Sequence, residues 1–323
     1  MQALERSEAA TSFSSGMAAI SNTFFALLSP GDRVVSVKDT YGGTSKLLLE
    51  TLPRFGIRVT LCETEDHAAI ARAIDDRCTL VYLETPTNPT LKILDLGRLI
   101  AAANKAGAFS VVDSTLATPM NQRPLDLGAD LVVHSATKYL GGHADALGGV
   151  LCGRADLVQK VFHFREITGA ALDPMSAYLL LRGMKTLHLR IARQNESAMA
   201  IASWLCHHPA VDAVYYPGLD SHPNHEIAVR QMSGFGGVLS FALKGGLEAI
   251  QPFLRNLRLV HRAANLGAVE TIAGPPSTTS HVECSSNERA ALGIPEGLVR
   301  YSVGIEAPQD LIDDLDQALR RLA

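Results

Sequence analysis

Short apolar segments alternate with helical patterns through the first half of the chain. The apolar segments are rich in Val and do not alternate with polar residues, which is typical of strands covered on both faces. We predict five buried strands, at 32–37, 57–63, 79–86, 108–115 and 129–135. Helical patterns punctuated by Gly and Pro join them, so the sequence predicts βαβ units and a mainly parallel central sheet flanked by helices.

The pattern changes after residue 156. A long helical segment at 173–205 is followed by shorter strand-like and helical segments and by a final helix at 308–322. This order predicts a smaller C-terminal α/β domain. We place the boundary near residue 185, with a large cofactor-binding domain at 1–185 and a small domain at 186–323.

The composition narrows the class of protein. The 323 residues are 47% hydrophobic, enough for a substantial core, and the net charge of −4 argues against a nucleic-acid-binding face. No apolar stretch is long enough to cross a bilayer, and the charged segment 1–10 lacks the apolar core of a secretory signal. The five cysteines are scattered without a CxxC pair, so we expect reduced thiols, no metal site and a cytoplasmic protein.

Polar residues follow three predicted strands at the point where each strand ends. They are Glu84, Thr87 and Asn88, then Asp113, and then Ser135, Thr137 and Lys138. Ligands of open α/β sheets bind at the carboxyl ends of strands, so we expect these residues to converge. A buried Asp113 carboxylate needs a cationic partner. The ring nitrogen of pyridoxal phosphate (PLP) is one such partner, and PLP is held by a lysine together with an aspartate.

This pairing predicts a covalent role for the lysine. Lys138 would form the Schiff base with PLP, and burial would lower its pKa so that it can act as a base. Ser135 and Thr137 could donate hydrogen bonds to the phosphate. A second phosphate cradle is predicted at 14–20, where small residues open a helix whose N–H groups can bind an anion. The ring of Tyr41 could stack on the pyridine.

These segments resemble one enzyme family. The chain is similar to the Cys/Met-metabolism PLP enzymes, which include cystathionine γ-synthase, cystathionine γ-lyase, cystathionine β-lyase, methionine γ-lyase and the homoserine-ester sulfhydrylases. The matching motifs run from residue 14 to the C-terminus and are SSGMAAI, YGGT, ETPTNP, VVDSTLATP, DLGADLVVHSATKYLGGHADALGG, LLLRGMKTLHLR, YPGL and LVRYSVGIE. The resemblance implies an aminotransferase-like α/β fold (fold type I). It also implies a carbon–sulfur lyase or γ-replacement enzyme for cysteine-, homocysteine- or homoserine-type substrates.

The resemblance implies roles for single positions. Lys138, as proton shuttle, and Tyr41 would be the catalytic residues. The implied cofactor-binding residues are Gly16, Met17, Tyr41, Asn88, Asp113, Ser135, Thr137 and Lys138. Within that set, Asn88 would bond the ring oxygen and Gly16 and Met17 the phosphate. Arg300 would grip the substrate α-carboxylate, and Asn265 would line the substrate site.

The chain departs from the family pattern in several places. Family members carry an N-terminal arm whose Tyr-x-Arg pair clamps the phosphate of the neighbouring subunit, and we expect this arm to be absent. Ala264 and Asn265 stand where cystathionine-handling members have an acid and Ser, which favours an O-acetyl- or O-succinylhomoserine sulfhydrylase as the alternative. Gly43 replaces the Cys usual in methionine γ-lyases, and Ser114 replaces the Asn usual after the aspartate.

Two further interpretations stay open. An aminotransferase would keep the fold and convert the cofactor to its amine form. A non-catalytic subunit would bind PLP poorly without the arm. The family implies an amino-acid substrate and a homo-oligomer, either a dimer or a tetramer, and a partner chain could supply the missing arm.

Overall fold

Two β-sheets organise the protein. The computed structural model describes residues 1–280, 282 and 284–322, and twelve strands form the sheets in that part of the chain. The strands are β1 (Ala9–Phe13), β2 (Arg33–Val37), β3 (Arg58–Cys62), β4 (Leu80–Glu84), β5 (Phe109–Asp113), β6 (Leu131–Ser135), β7 (Gly149–Gly153), β8 (Val211–Tyr215), β9 (Val238–Leu243), β10 (His261–Arg262), β11 (Ile272–Gly274) and β12 (Leu298–Ser302).

Helices cover the sheets. They are α1 (Gln2–Glu5), α2 (Gly16–Leu27), α3 (Gly42–Lys46), α4 (Leu52–Arg54), α5 (His67–Ala73), α6 (Leu96–Ala106), α7 (Thr118–Asn121), α8 (Ala155–Thr168), α9 (Pro174–Met184), α10 (Leu187–Leu205), α11 (His225–Gln231), α12 (Leu247–Asn256), α13 (Ser286–Ala291) and α14 (Pro308–Leu319). A π-helical segment, Leu47–Thr51, joins α3 to α4, and 3-10 turns lie at Pro124–Leu127, Pro276–Thr278 and Arg320–Leu322. No helix among the described residues is long and apolar enough to span a membrane.

The larger sheet has the order β1-β7-β6-β5-β4-β2-β3. Five of its strands, β6, β5, β4, β2 and β3, pair in parallel. The pairs β6–β7 and β7–β1 are antiparallel and form the other edge. The prediction of a mainly parallel sheet flanked by helices is therefore confirmed. Parallel strands end at one edge, so this register brings the residues after β4, β5 and β6 together.

Helix α6 shows how the sequence sets these elements. The Asp95 side chain caps its first turn by accepting the Arg98 N–H, and Gly107 ends it with a φ of 71° that favours glycine. Its buried residues, Leu96, Leu99, Ile100 and Ala103, recur with helical spacing. They pack on the sheet, so the apolar stripe orients the helix.

The smaller sheet has the order β10-β11-β12-β9-β8 and is antiparallel except for the β10–β11 pair. Its core joins residues of α10, α12 and α14 to the strands, among them Ile201, Phe253, Leu315, Phe241 and Tyr301. The larger sheet ends at Gly153 and the smaller begins at Val211. The boundary near residue 185 lies in the helices between them and stays a prediction.

The structure corrects the helical segment predicted at 173–205. It is two helices, α9 and α10, which break at Lys185 and Thr186. The Gly183 carbonyl accepts hydrogen bonds from the Arg190 guanidinium and from the Thr186 N–H three residues further on. These bonds mark the end of the α-helical pattern of α9. Strands β1 and β7 and helix α8 were not predicted, since β1 carries small and polar residues and β7 is a five-residue run bounded by glycines.

Candidate active site

Lys138 lies just beyond β6, in the wall of a cavity of about 510 Å³. Its Nζ donates a hydrogen bond to Asn265 Oδ1 at 2.7 Å. Thr137, Ala264 and residues 144–147 complete the lining. Burial, and then the charge of Arg300, lower the pKa of Lys138 to about 8. The amine is thus directed into the cavity and gives up its proton more readily than an exposed lysine.

Asp113 ends β5 and is buried. Its Oδ1 accepts the Thr115 N–H at 2.9 Å, and its Oδ2 accepts the Tyr82 hydroxyl at 3.2 Å. No Lys, Arg or His side chain forms an ion pair with it among the described residues. A buried carboxylate that accepts hydrogen bonds only from neutral groups can also bind a cationic partner.

Ser15 caps α2 with a side-chain oxygen that accepts the Ala18 N–H at 3.0 Å. Gly16 opens this helix against β6, and a Cβ at Gly16 would lie 2.8 Å from Ser135 Cβ. Only glycine permits this approach, which sets the helix start beside Ser135. The Thr137 hydroxyl is engaged with the backbone of Gly148, at 3.3 Å to its carbonyl and 3.2 Å from its N–H.

Arg300 lies in β12 and is buried. Its Nη1 donates to Asn88 Oδ1 at 3.2 Å, and its Nη2 donates to the carbonyls of Ala264 and Asn265 at 3.1 and 3.0 Å. Burial lowers the pKa of Arg300 to about 10. It forms no ion pair with a carboxylate in the described part of the chain, so a buried guanidinium here can accept an anionic ligand. Lys138, Asn265, Arg300 and Asn88 form one hydrogen-bonded chain.

Tyr41 is the residue just before α3, and 47% of its surface is exposed. Its backbone N–H donates to Glu84 Oε2 at 2.7 Å. A Cβ at Gly43 would lie 2.9 Å from Met17 Sδ and 3.0 Å from Tyr41 Cε1. The predicted residues Met17 and Tyr41 therefore meet at Gly43, where a cysteine would be crowded.

Two residues near this site, Tyr82 and Arg190, were not singled out from the sequence. Tyr82 lies two positions before Glu84 on β4, and the period of two could have indicated that both face Asp113. Arg190 donates to the Tyr139 carbonyl at 2.8 Å and so supports the segment after Lys138. That contact joins α10 to a distant turn, so no local pattern indicates it.

These groups fit PLP. Asp113 can face a protonated ring nitrogen, Lys138 offers an amine with a lowered pKa, and the close Gly16–Ser135 contact leaves backbone N–H groups of α2 for a phosphate. The family model described as Cys/Met metabolism PLP-dependent enzyme matches residues 1–320. The chain belongs to this family. The predictions of a fold type I enzyme, of PLP as cofactor and of sulfur amino-acid metabolism are confirmed.

Several relatives share most of this chain. An L-methionine gamma-lyase of Fusobacterium nucleatum subsp. polymorphum is 45% identical over 99% of this chain and 82% of its own length. A cystathionine gamma-lyase of Bacillus subtilis is 45% identical over 99% of this chain and 84% of its own. A solved cystathionine gamma synthase of Xanthomonas oryzae pv. oryzae, in complex with cystathionine, is 41% identical with a TM-score of 0.96 and covers 99% of this chain and 83% of that chain. No comparison supports a separate partner chain.

Proposed function

We propose that the chain catalyses elimination or replacement at a β or γ carbon of a sulfur amino acid or an activated homoserine, with Lys138 as the acid–base group. The observation that carries this proposal is the Lys138 amine, directed into the cavity and bonded to Asn265 at 2.7 Å. Its pKa of about 8 leaves a fraction of the amine uncharged near neutral pH, so it can accept a proton.

The neighbouring side chains support a division of roles. Arg300 would bind the substrate α-carboxylate, since it is buried and bonded to neutral oxygens alone in the described residues. Asp113 would keep the ring nitrogen of PLP protonated, and PLP when bound would draw electrons from the substrate Cα. Lys138 Nζ would take the Cα proton and return it along the substrate, while the Tyr41 ring would cover the pocket.

The names of the relatives support a lyase or a γ-replacement enzyme. The test is a keto-acid assay of the purified protein with PLP on methionine, cystathionine, cysteine and O-acetylhomoserine, each with and without an added thiol. We expect one substrate to release a keto acid. Transfer of the amino group to PLP without loss of a side-chain substituent would contradict the proposal and support an aminotransferase. Failure to bind PLP would support a non-catalytic chain.

A homoserine-ester sulfhydrylase is the second candidate. The cavity wall carries the small apolar Ala264 beside Asn265, so neither of these two positions offers an acid to hold the distal amine of cystathionine. These two positions favour a substrate with an uncharged distal group, and the acid of the same lining is Asp145 on the segment 144–147. In the same assay, O-acetylhomoserine that reacts only when a thiol is added would support this candidate.

We also propose a homo-oligomer. Helix α9 exposes Met175, Tyr178 and Leu181 at 60–65% of their surface, and Leu147 near the cavity is 62% exposed. An apolar face of this kind is a common subunit contact. Light scattering after gel filtration should give a dimer or a tetramer, and Tyr178→Glu should reduce its mass. A monomer at micromolar concentration would contradict the proposal.

We propose a cytoplasmic location because two buried cysteines are free thiols. Cys78 and Cys152 are buried as single thiols, which suits a reducing compartment. Fractionation of cells that make the tagged full-length protein should place it in the cytosolic fraction, and recovery in a membrane or secreted fraction would contradict this.

A further inference from the structure

Glu84 is a buried carboxyl group at the carboxyl edge of the large sheet. It ends β4, as Asp113 ends β5, and the two residues are partners in the parallel register. Partner residues on neighbouring strands point to the same face and lie about 5 Å apart. Tyr82, two residues before Glu84, bonds Asp113 from that same face. The two carboxyl groups are therefore neighbours, 3% and 7% exposed.

Two charged carboxylates are unfavourable here, because both would lose their hydration and would repel each other. Asp113 accepts two hydrogen bonds, from Thr115 and Tyr82, whereas Glu84 accepts the Tyr41 N–H. Burial first, and then Asp113, raise the pKa of Glu84 well above its ordinary value. The Tyr41 N–H acts in the opposite direction, and Asp39 adds to the rise.

No Lys, Arg or His side chain in the described part of the chain forms an ion pair with Glu84. Asp39 is already paired with Lys92 Nζ at 3.2 Å and accepts a hydrogen bond from Thr64. Tyr82 donates to Asp113. The proton of the pair therefore belongs on Glu84.

We propose that Glu84 is a positioning residue which, as an uncharged carboxylic acid, anchors the Tyr41 backbone beside Asp113 and so holds the Tyr41 ring over the cofactor pocket. This proposal deepens the proposed function and rests on it for its catalytic consequence. Tyr41 precedes α3, so its N–H has no partner within that helix, and Glu84 supplies the acceptor from another element. Tyr41 is half exposed, so the backbone anchor contributes much of the placement of its ring.

Three variants test the proposal. Glu84→Gln keeps an uncharged side chain whose amide oxygen can accept the Tyr41 N–H, and Glu84→Leu keeps the size without an acceptor. Glu63→Gln is the control, because Glu63 follows β3, which lies two strands from β4 in the same sheet, and its side chain is 65% exposed. Cofactor-free protein is used first, so the result does not depend on catalysis.

Two readouts apply to the cofactor-free protein. Infrared difference spectra at neutral pH should show the carbonyl band of a protonated carboxylic acid that Glu84→Gln removes and Glu63→Gln retains. Amide hydrogen exchange at Tyr41 should be slow in wild type and in Glu84→Gln, and about tenfold or more faster in Glu84→Leu. Absence of the acid band, or unchanged exchange in Glu84→Leu, would overturn the proposal.

Kinetics then measure the consequence. With PLP, we expect kcat/KM of Glu84→Gln within about threefold of wild type, and a loss of about tenfold to a hundredfold in Glu84→Leu, with weaker visible circular dichroism of the bound cofactor. An equal loss in Glu84→Gln would show that a charged carboxylate is required and would overturn the proposal, even if Glu84→Leu fails to fold. An inactive wild type that still shows the acid band and the protected amide would contradict the proposed function and leave the anchor supported.

Discussion

Replacing Lys138 with methionine should stabilise the cofactor-free protein at neutral pH. The folded-state pKa of Lys138 is about 8, below the ordinary 10.5. One pKa unit corresponds to about 1.4 kcal/mol, so the buried ammonium costs about 3 kcal/mol of stability. Methionine removes this cost and also removes the hydrogen bond to Asn265, a loss of about 1 kcal/mol. We expect a net gain of about 2 kcal/mol.

The gain depends on pH in a defined direction. Below pH 8 the amine is protonated in both the folded and the unfolded chain, so wild type bears the full cost. Between pH 8 and 10.5 the folded protein loses the proton while the unfolded chain keeps it, and the cost declines. The advantage of Lys138→Met should therefore be largest at pH 7 and shrink as the pH rises through 8.

Urea unfolding of both proteins, followed by the fluorescence of Trp204, measures this difference at several pH values from about 6 to 9.5. Lys160→Met is the control, since Lys160 is exposed on α8 and its loss should change stability by less than about 0.5 kcal/mol at each pH. A difference between Lys138→Met and wild type that stays constant across this range would refute the reasoning.

Three other predictions follow from the site and its supports. Arg300→Lys should raise KM about tenfold to a hundredfold with a smaller change in kcat, because a lysine cannot form the guanidinium fork; steady-state kinetics measure this, and an unchanged KM would contradict it. Gly16→Ala should weaken PLP binding and lower stability by about 1–3 kcal/mol, since its Cβ would meet Ser135 at 2.8 Å; equilibrium dialysis and urea unfolding test it, and wild-type affinity would count against the cradle. Glu5→Leu should lower the free energy of unfolding by about 1–3 kcal/mol, because it leaves the buried His134 Nε2 without its partner at 2.6 Å; an unchanged midpoint in urea unfolding would show that the contact is unimportant.

The order of elements and the edge that carries the site could be predicted from the sequence. The five parallel strands are short apolar runs, and the polar residues after them, such as Asp113 and Lys138, mark the carboxyl edge without knowledge of tertiary contacts. Arg300 is different. It lies in a strand of the other sheet, and only the motif around it indicated a substrate role, whereas its contact with Asn88 spans 212 residues of chain.

The remainder depends on contacts that leave no local pattern. The break between α9 and α10 comes with a Gly183 carbonyl that accepts a hydrogen bond from Arg190. In the antiparallel edge of the large sheet, β1 carries small and polar residues and β7 is a short run bounded by glycines. The proximity of Glu84 and Asp113 needs the strand register, which is set by packing across the whole sheet. Residue types were readable from the sequence, but their pairing was not.

The most direct test of the account is to locate the covalent attachment of the cofactor. Wild type, Lys138→Ala and the control Lys160→Ala would be loaded with PLP, reduced with borohydride, digested and analysed by mass spectrometry. We expect a phosphopyridoxyl group on the peptide that contains Lys138 in wild type and in Lys160→Ala, and none in Lys138→Ala. Stoichiometric labelling of another lysine in wild type, or retained labelling in Lys138→Ala, would contradict the central claim that Lys138 holds the cofactor.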